Sequence, residues 1–137
     1  MNKPVVLFVD DDRYEMLGLT ERLEASGFMV EPMFSSSSAL DRLKRGLRPD
    51  LIISDLIMAT SPDASPNANR YVGIDFCRTV SELDIKVPII VLTVVTDPII
   101  QSEARKYART LIVKPVNPPI LVRSAHEILK LYDRQSR

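Results

Sequence analysis

The sequence predicts an α/β fold, a (βα)5 doubly wound three-layer sandwich in which a five-stranded parallel sheet lies between two layers of helices. Two observations predict it. Short apolar runs alternate along the chain with segments of helical period, an alternation that implies parallel strands joined by right-handed crossovers. In addition, four of the runs end abruptly in a polar residue with chemistry to offer. Val5-Val6-Leu7-Phe8-Val9 runs into Asp10-Asp11-Asp12, Leu51-Ile52-Ile53-Ser54 into Asp55, Ile89-Ile90-Val91-Leu92 into Thr93, and Leu111-Ile112-Val113 into Lys114-Pro115. Runs of this kind read as strands buried on both faces. In an open parallel sheet ligands bind outside the carboxyl ends of the strands, so these acids, this hydroxyl and this ammonium should meet at one edge.

The elements follow in order. After the first acids, Met16, Leu19, Thr20 and Leu23 line one helical face, and Gly27 is placed to end that helix. Residues 28–34 read as a second, weaker strand. The four serines at 35–38 offer N-caps for a short helix that buries Ala39, Leu40 and Leu43 and stops near Gly46. The third strand covers residues 50–54. Residues 60–71, rich in Ser, Pro, Asp and Asn, have loop composition, consistent with either a surface insertion or a partner-binding lid. A helix over residues 73–83 and a strand after Pro88 come next. Asp97-Pro98 then supplies a cap and a first-turn proline for the fourth helix. The fifth strand is 111–113, and the last helix starts near Pro118-Pro119 with Leu121, Ala125, Ile128 and Tyr132 facing inward.

The totals narrow the function. The chain has 137 residues, the size of one domain, and its 45% hydrophobic content suffices for a core. Eighteen basic residues balance eighteen acidic ones, which argues against direct nucleic-acid binding. A single cysteine, Cys77, excludes an internal disulfide, fits a reducing cytoplasm and reads as buried packing. No apolar stretch is long enough to span a bilayer or to form a signal-peptide core. His126 on the last helix reads as a surface or groove residue.

Clustered carboxylates need a counter-charge. Two unit charges about 4 Å apart repel by about 4 kcal/mol at an effective dielectric of about 20. Oxygen ligands without His or Cys point to Mg²⁺, or Mn²⁺ in its place. Lys114 adds a positive charge, Thr93 can donate to a phosphoryl oxygen, and Asp55 can itself be a nucleophile forming an acyl phosphate. The blander alternatives are a helix cap for the three consecutive acids and a turn for Asp55. One cap needs one acid, and Asp12 is the residue best read as that cap.

These motifs resemble the receiver domain of two-component response regulators. The resemblance rests on Val9-Asp10-Asp11, on Pro49-Asp50-Leu51-Ile52-Ile53-Ser54-Asp55 with Met58, on Pro88 to Thr93, and on Lys114-Pro115. It spans nearly the whole chain, giving one receiver domain over residues 1–137. It implies a flavodoxin-like sheet in the order 2-1-3-4-5. It also implies that Asp55 accepts a phosphoryl group from a histidine kinase or phosphotransfer protein. Asp11 would bind Mg²⁺ directly, Asp10 partly through water, and Asp55 and the main-chain carbonyl of Ile57 would complete the protein ligands. Thr93 and Lys114 would contact the phosphate and act as the switch, and the Lys114-Pro115 bond would be cis. A bacterial cytoplasmic protein, monomeric or weakly dimeric when phosphorylated, acting on a downstream protein and on neither nucleic acid nor membrane, is the corresponding expectation. Lys106, Tyr107 and Arg109 would lie on the face that receivers use for partners.

The sequence departs from the family pattern at Ala59, where proline is usual, in about ten extra residues between Met58 and Gly73, and at Val94, where a small residue is usual. The aromatic switch position holds Leu111, which cannot reproduce a ring's contacts. Ile57, Val94 and Val95 would make the rim of the site apolar, which predicts slow self-dephosphorylation. Two rival readings stand beside the receiver. One is a pseudo-receiver that acts without phosphorylation. The other is a phosphohydrolase resembling the haloacid-dehalogenase superfamily, with Asp10 as nucleophile; Tyr14 and the lack of a role for Asp55 count against it.

Overall fold

The computed structural model describes residues 3–58 and 71–136, with side chains to residue 130. The elements alternate as expected: β1 (Val5–Val9), α1 (Arg13–Ala25), β2 (Met29–Met33), α2 (Ser36–Lys44), β3 (Leu51–Asp55), α3 (Val72–Glu82), β4 (Ile89–Thr93), α4 (Pro98–Arg105), β5 (Thr110–Val113) and α5 (Pro118–Ser136). All pairings are parallel, and the strands lie in the order β2-β1-β3-β4-β5. The polar stretch at 60–71, read from sequence as a lid or insertion, falls outside the described residues except for Tyr71.

The local chemistry explains the boundaries. Asp12 caps α1 by accepting from the Glu15 amide at 3.1 Å. Gly27 then adopts φ +102°, which lets the Phe28 amide turn back onto the Leu23 carbonyl at 3.1 Å. Phe28 therefore belongs to the helix cap, and β2 begins one residue later than the apolar run suggests. Ser35 caps α2 through the Ser38 amide, and Gly46, at φ +111°, ends it. Asp50 does not join β3 as expected; its carboxylate accepts from the Val5 amide at 2.7 Å, pinning the start of β1 to that of β3. Asp97 caps α4 with Pro98 in its first turn.

Strand alternation sends side chains to two cores. Leu7, Val9, Ile52, Ile89 and Val91 pack with α2, α3 and α4 through Leu43, Phe76, Val80 and Ala104. Val6, Phe8, Leu51, Ile53, Ile90 and Leu92 pack with α1 and α5 through Met16, Leu23, Leu121 and Ala125. Burying one such side chain contributes about 1.5–3 kcal/mol, so the sheet centre is the stable frame on which the strand ends are held. The β-branched runs at β1, β3 and β4 are buried on both faces, but that at β5 is not. Leu111 and Ile112 are half-buried and Val113 is exposed, because β5 is an edge strand with one neighbour. The other edge, β2, carries Pro32, which has no amide hydrogen to offer an incoming strand.

Candidate functional site

The strand register determines which polar residues meet. Val9 lies opposite Ser54, so the next residues, Asp10 and Asp55, leave neighbouring strands at the same level. Asp55 pairs with Leu92, which puts Thr93 one step further out, and Thr93 pairs with Val113, which puts Lys114 one step beyond that. Asp10, Asp55 and Thr93 are all buried.

Lys114 joins the acids. Its Nζ donates to Asp55 Oδ2 at 2.7 Å and to Asp10 Oδ2 at 3.3 Å. Its amide donates to the Thr93 carbonyl at 2.8 Å, which keeps the base of the side chain against β4. The Lys114-Pro115 bond is cis. On the other carboxylate oxygen, Asp55 Oδ1 accepts from the amides of Leu56 at 2.6 Å and Ile57 at 3.2 Å. Asp10 Oδ1 accepts from the Asp12 amide at 2.9 Å. Asp11 is exposed at the rim. Thr93 Oγ1 accepts from the Val95 amide at 3.0 Å, and the Val95 carbonyl accepts from Gln101 Nε2 at 2.9 Å, which ties the threonine turn to α4. Val94 is exposed, while Ile57 and Val95 are half-buried, so the residues that follow Asp55 and Thr93 in the chain present apolar surface. Leu111 packs, half-buried, with the core beneath α3 and α4.

Two residues that the motifs did not single out help to build the site. Glu15, in the first turn of α1, places Oε1 2.9 Å from Lys114 Nζ. Only its position three residues after the capping Asp12 could have signalled this, since that spacing turns it toward the sheet edge. Gly73 supports the Asp55 turn: its amide donates to the Leu56 carbonyl at 2.9 Å. A Cβ there would run into the Asp55 carbonyl oxygen and lie 2.5 Å from Leu56 Cα. A glycine after a long polar stretch is a weak sequence signal, and the close approach is visible only in three dimensions.

Burial sets the electrostatics. It pushes the Asp10 carboxyl up to about 6 from 3.8, against the opposing pull of the Asp12 amide and Lys114. It also raises Asp55, although Lys114 and the Ile57 and Leu56 amides work the other way. For Lys114 burial favours the neutral amine, but Asp55, Glu15 and Asp10 together hold it above its ordinary value as an ammonium. One lysine thus leaves buried carboxylate charge incompletely neutralised, and a further cation would be favoured there. Among the described residues no three acidic, His or Cys side chains converge into a preformed metal cage. Asp10 and Asp55, with Asp11 at the rim, instead offer an open edge. That donor set fits a hard, partly hydrated ion such as Mg²⁺.

Other singled-out residues lie elsewhere. Cys77 is buried in α3, and burial pushes its thiol up to about 12. His126 is exposed with its ring 4.7 Å from that of Phe28. Lys106 and Tyr107 line a groove of about 430 Å³ that includes Pro88 and Ile89, at the start of β4 and so at the opposite end of the sheet from Asp55. Within it Lys106 pairs with Glu103, and Tyr107 takes a hydrogen bond from Arg78.

A five-stranded parallel sheet in this order, with buried acids and a lysine at its carboxyl edge, defines the flavodoxin-like class of α/β domain, and comparison with known proteins narrows it to a family. The response regulator receiver domain model matches residues 6–126, and the chain belongs to that family. The fold is shared with solved structures. A CheY-like response regulator receiver domain protein from Methanospirillum hungatei superposes with a TM-score of 0.82 at 21% identity, covering 98% of this chain and 99% of that one. The N-terminal domain of a response regulator/sensory box/GGDEF protein from Carboxydothermus hydrogenoformans gives 0.80 at 21%, with 97% and 99% covered. A Francisella response regulator receiver domain gives 0.77 at 24%, with 96% and 98% covered. No curated protein sequence matches the chain. No helix among the described residues is long and apolar enough to cross a membrane.

Proposed function

We propose that this chain is a phosphorylation-dependent switch in which Asp55 takes a phosphoryl group from a phosphohistidine on a histidine kinase or phosphotransfer protein. The observation that carries the reading is the contact of Lys114 Nζ with Asp55 Oδ2 at 2.7 Å beside the buried Asp10. An Asp55 carboxylate oxygen attacks phosphorus, the P–O bond forms as the P–N bond breaks, and the leaving imidazole nitrogen keeps the electron pair and takes up a proton. The Leu56 and Ile57 amides hold Oδ1 and so orient the carboxylate for in-line attack. Lys114 neutralises charge on the incoming phosphoryl oxygens, and the Thr93 hydroxyl donates to one of them. Mg²⁺, or Mn²⁺, held by Asp10, Asp11, Asp55 and the Ile57 carbonyl, supplies the remaining neutralisation when bound.

The phosphorylated chain, one receiver domain over residues 1–137, changes its affinity for a downstream protein in a bacterial cytoplasm. It acts as a monomer or weak dimer, with neither nucleic acid nor membrane as direct partner. With Leu111 at the switch position, the signal leaves the site by a route other than an inward-turning ring. Intact mass after incubation with acetyl phosphate and Mg²⁺, followed by the candidate kinases, tests the reading. Wild type should gain one phosphoryl group and Asp55→Asn none. Equal labelling of Asp55→Asn overturns it; label mapped to Asp10 indicates a phosphohydrolase, and no label with any donor indicates a pseudo-receiver.

A further inference from the structure

Glu15 has no part in the chemistry just described, yet it shares the lysine at its centre. An ammonium has three N–H donors. Lys114 faces three carboxylates, with Nζ–O separations of 2.7 Å to Asp55, 2.9 Å to Glu15 and 3.3 Å to Asp10. The lysine side chain is only 9% exposed, so these acids stand in place of water. They differ in how easily they can return to solvent: the side chain of Asp10 is 1% exposed and that of Asp55 9%, but that of Glu15 is 31% exposed. Glu15 Oε1 is itself shielded from solvent and lies 2.9 Å from Nζ, so the lysine is what holds it in the site.

A phosphoryl group on Asp55 carries close to two negative charges, a net gain of about one over the carboxylate it replaces, and brings three strong acceptor oxygens. Phosphorylation takes the Asp55 carboxylate from Lys114 and offers the phosphoryl oxygens, which lie further out, in its place. As the ammonium follows them its other contacts lengthen, and the one to Glu15 is the one that water can most readily take over. We infer that Glu15 is a state-dependent acceptor for Lys114, holding the ammonium while Asp55 is unmodified and losing it when Asp55 is phosphorylated. The inference rests on the phosphoacceptor reading above and makes Glu15 a positioning residue. The pair joins α1 to the end of β5, and the Glu15 amide also closes the N-cap bond to Asp12 at 3.1 Å. Losing the lysine therefore loosens the first turn of α1. That turn exposes Tyr14, at 92%, and leads to Leu17, at 59%, so the change reaches an apolar surface without using Leu111.

The full chain is tested with Mg²⁺ and beryllofluoride as a stable phosphoryl mimic, in wild type and Glu15→Gln. Glutamine keeps the size but removes the competing charge, and beryllofluoride should bind about three- to five-fold more tightly, the scale of a partly exposed ion pair. Glu15→Ala should act in the same direction. Amide hydrogen exchange in residues 13–17 should speed up in wild type when beryllofluoride binds, and should already be fast and unchanged in Glu15→Gln. Equal affinities with the same exchange response in both proteins overturn the role of Glu15 and leave Asp55 as the acceptor. Failure of beryllofluoride to bind either protein at saturating Mg²⁺ overturns the phosphoacceptor reading, and this inference with it.

Discussion

Gly73→Ala separates a packing role from helix propensity, because the two predict opposite signs. Gly73 sits in the first turn of α3, where alanine should stabilise the helix by up to about 1 kcal/mol if nothing else intervenes. The structure says otherwise. The new Cβ would meet the Asp55 carbonyl oxygen and would lie 2.5 Å from Leu56 Cα and 2.9 Å from the Asp55 carbonyl carbon. Ordinary carbon contacts are about 3.5–4.0 Å, so α3 and the Asp55 turn must separate by about 1 Å. All three obstacles are backbone atoms, with no side chain to swing aside. Overpacking of this kind costs about 1–3 kcal/mol. The same displacement moves the Leu56 and Ile57 amides, which hold Asp55 Oδ1 at 2.6 and 3.2 Å. A misplacement of about 1 Å can cost about 100-fold in rate, so labelling by acetyl phosphate should slow by one to two orders of magnitude, roughly. Urea unfolding gives the stability through the midpoint at unchanged slope, and timed intact mass gives the labelling rate. A variant that is as stable as wild type and labels as fast would refute the argument.

Two more outcomes are expected. Asp10 is raised to about 6 in the folded chain from 3.8, so its contribution to stability is fully present below 3.8 and is lost as pH rises through about 6. Without metal, wild type should therefore weaken relative to Asp10→Asn across that window by up to about 3 kcal/mol, and saturating Mg²⁺ should suppress the loss. Urea midpoints taken at several pH values check this, and a pH-independent difference would contradict it. The apolar rim of Ile57, Val94 and Val95 gives a hydrolytic water few partners, so the phosphorylated chain should persist well beyond seconds without a phosphatase. A lifetime of seconds, followed by intact mass, would rule that out, and Val94→Asn should shorten the lifetime.

The alternation of elements was legible because buried parallel strands must be continuously apolar while surface helices keep an amphipathic period. Asp12, Ser35 and Asp97 were legible as caps for a similar reason: one short polar side chain satisfies an orphan amide close by in sequence. Edge position was not. The Leu111-Ile112-Val113 run is as apolar as the central strands, and its partial exposure follows from which strand lies last in the sheet. Phe28 and Asp50 were misread as strand for a related reason, since each is claimed by a partner outside its own run.

By itself the sequence determined the strands, the polar residues that end them and, through their spacing, the family. A strand's burial and its terminal residue are properties of a few consecutive positions. Only the tertiary structure decided how those residues are held. The register that levels Asp10 with Asp55, the third carboxylate that Glu15 brings to Lys114, and the backbone that leaves Gly73 no room for a Cβ all join positions far apart in the chain. No local pattern encodes such contacts; they exist once two packed layers of helices have put β1, β3, β4 and β5 side by side.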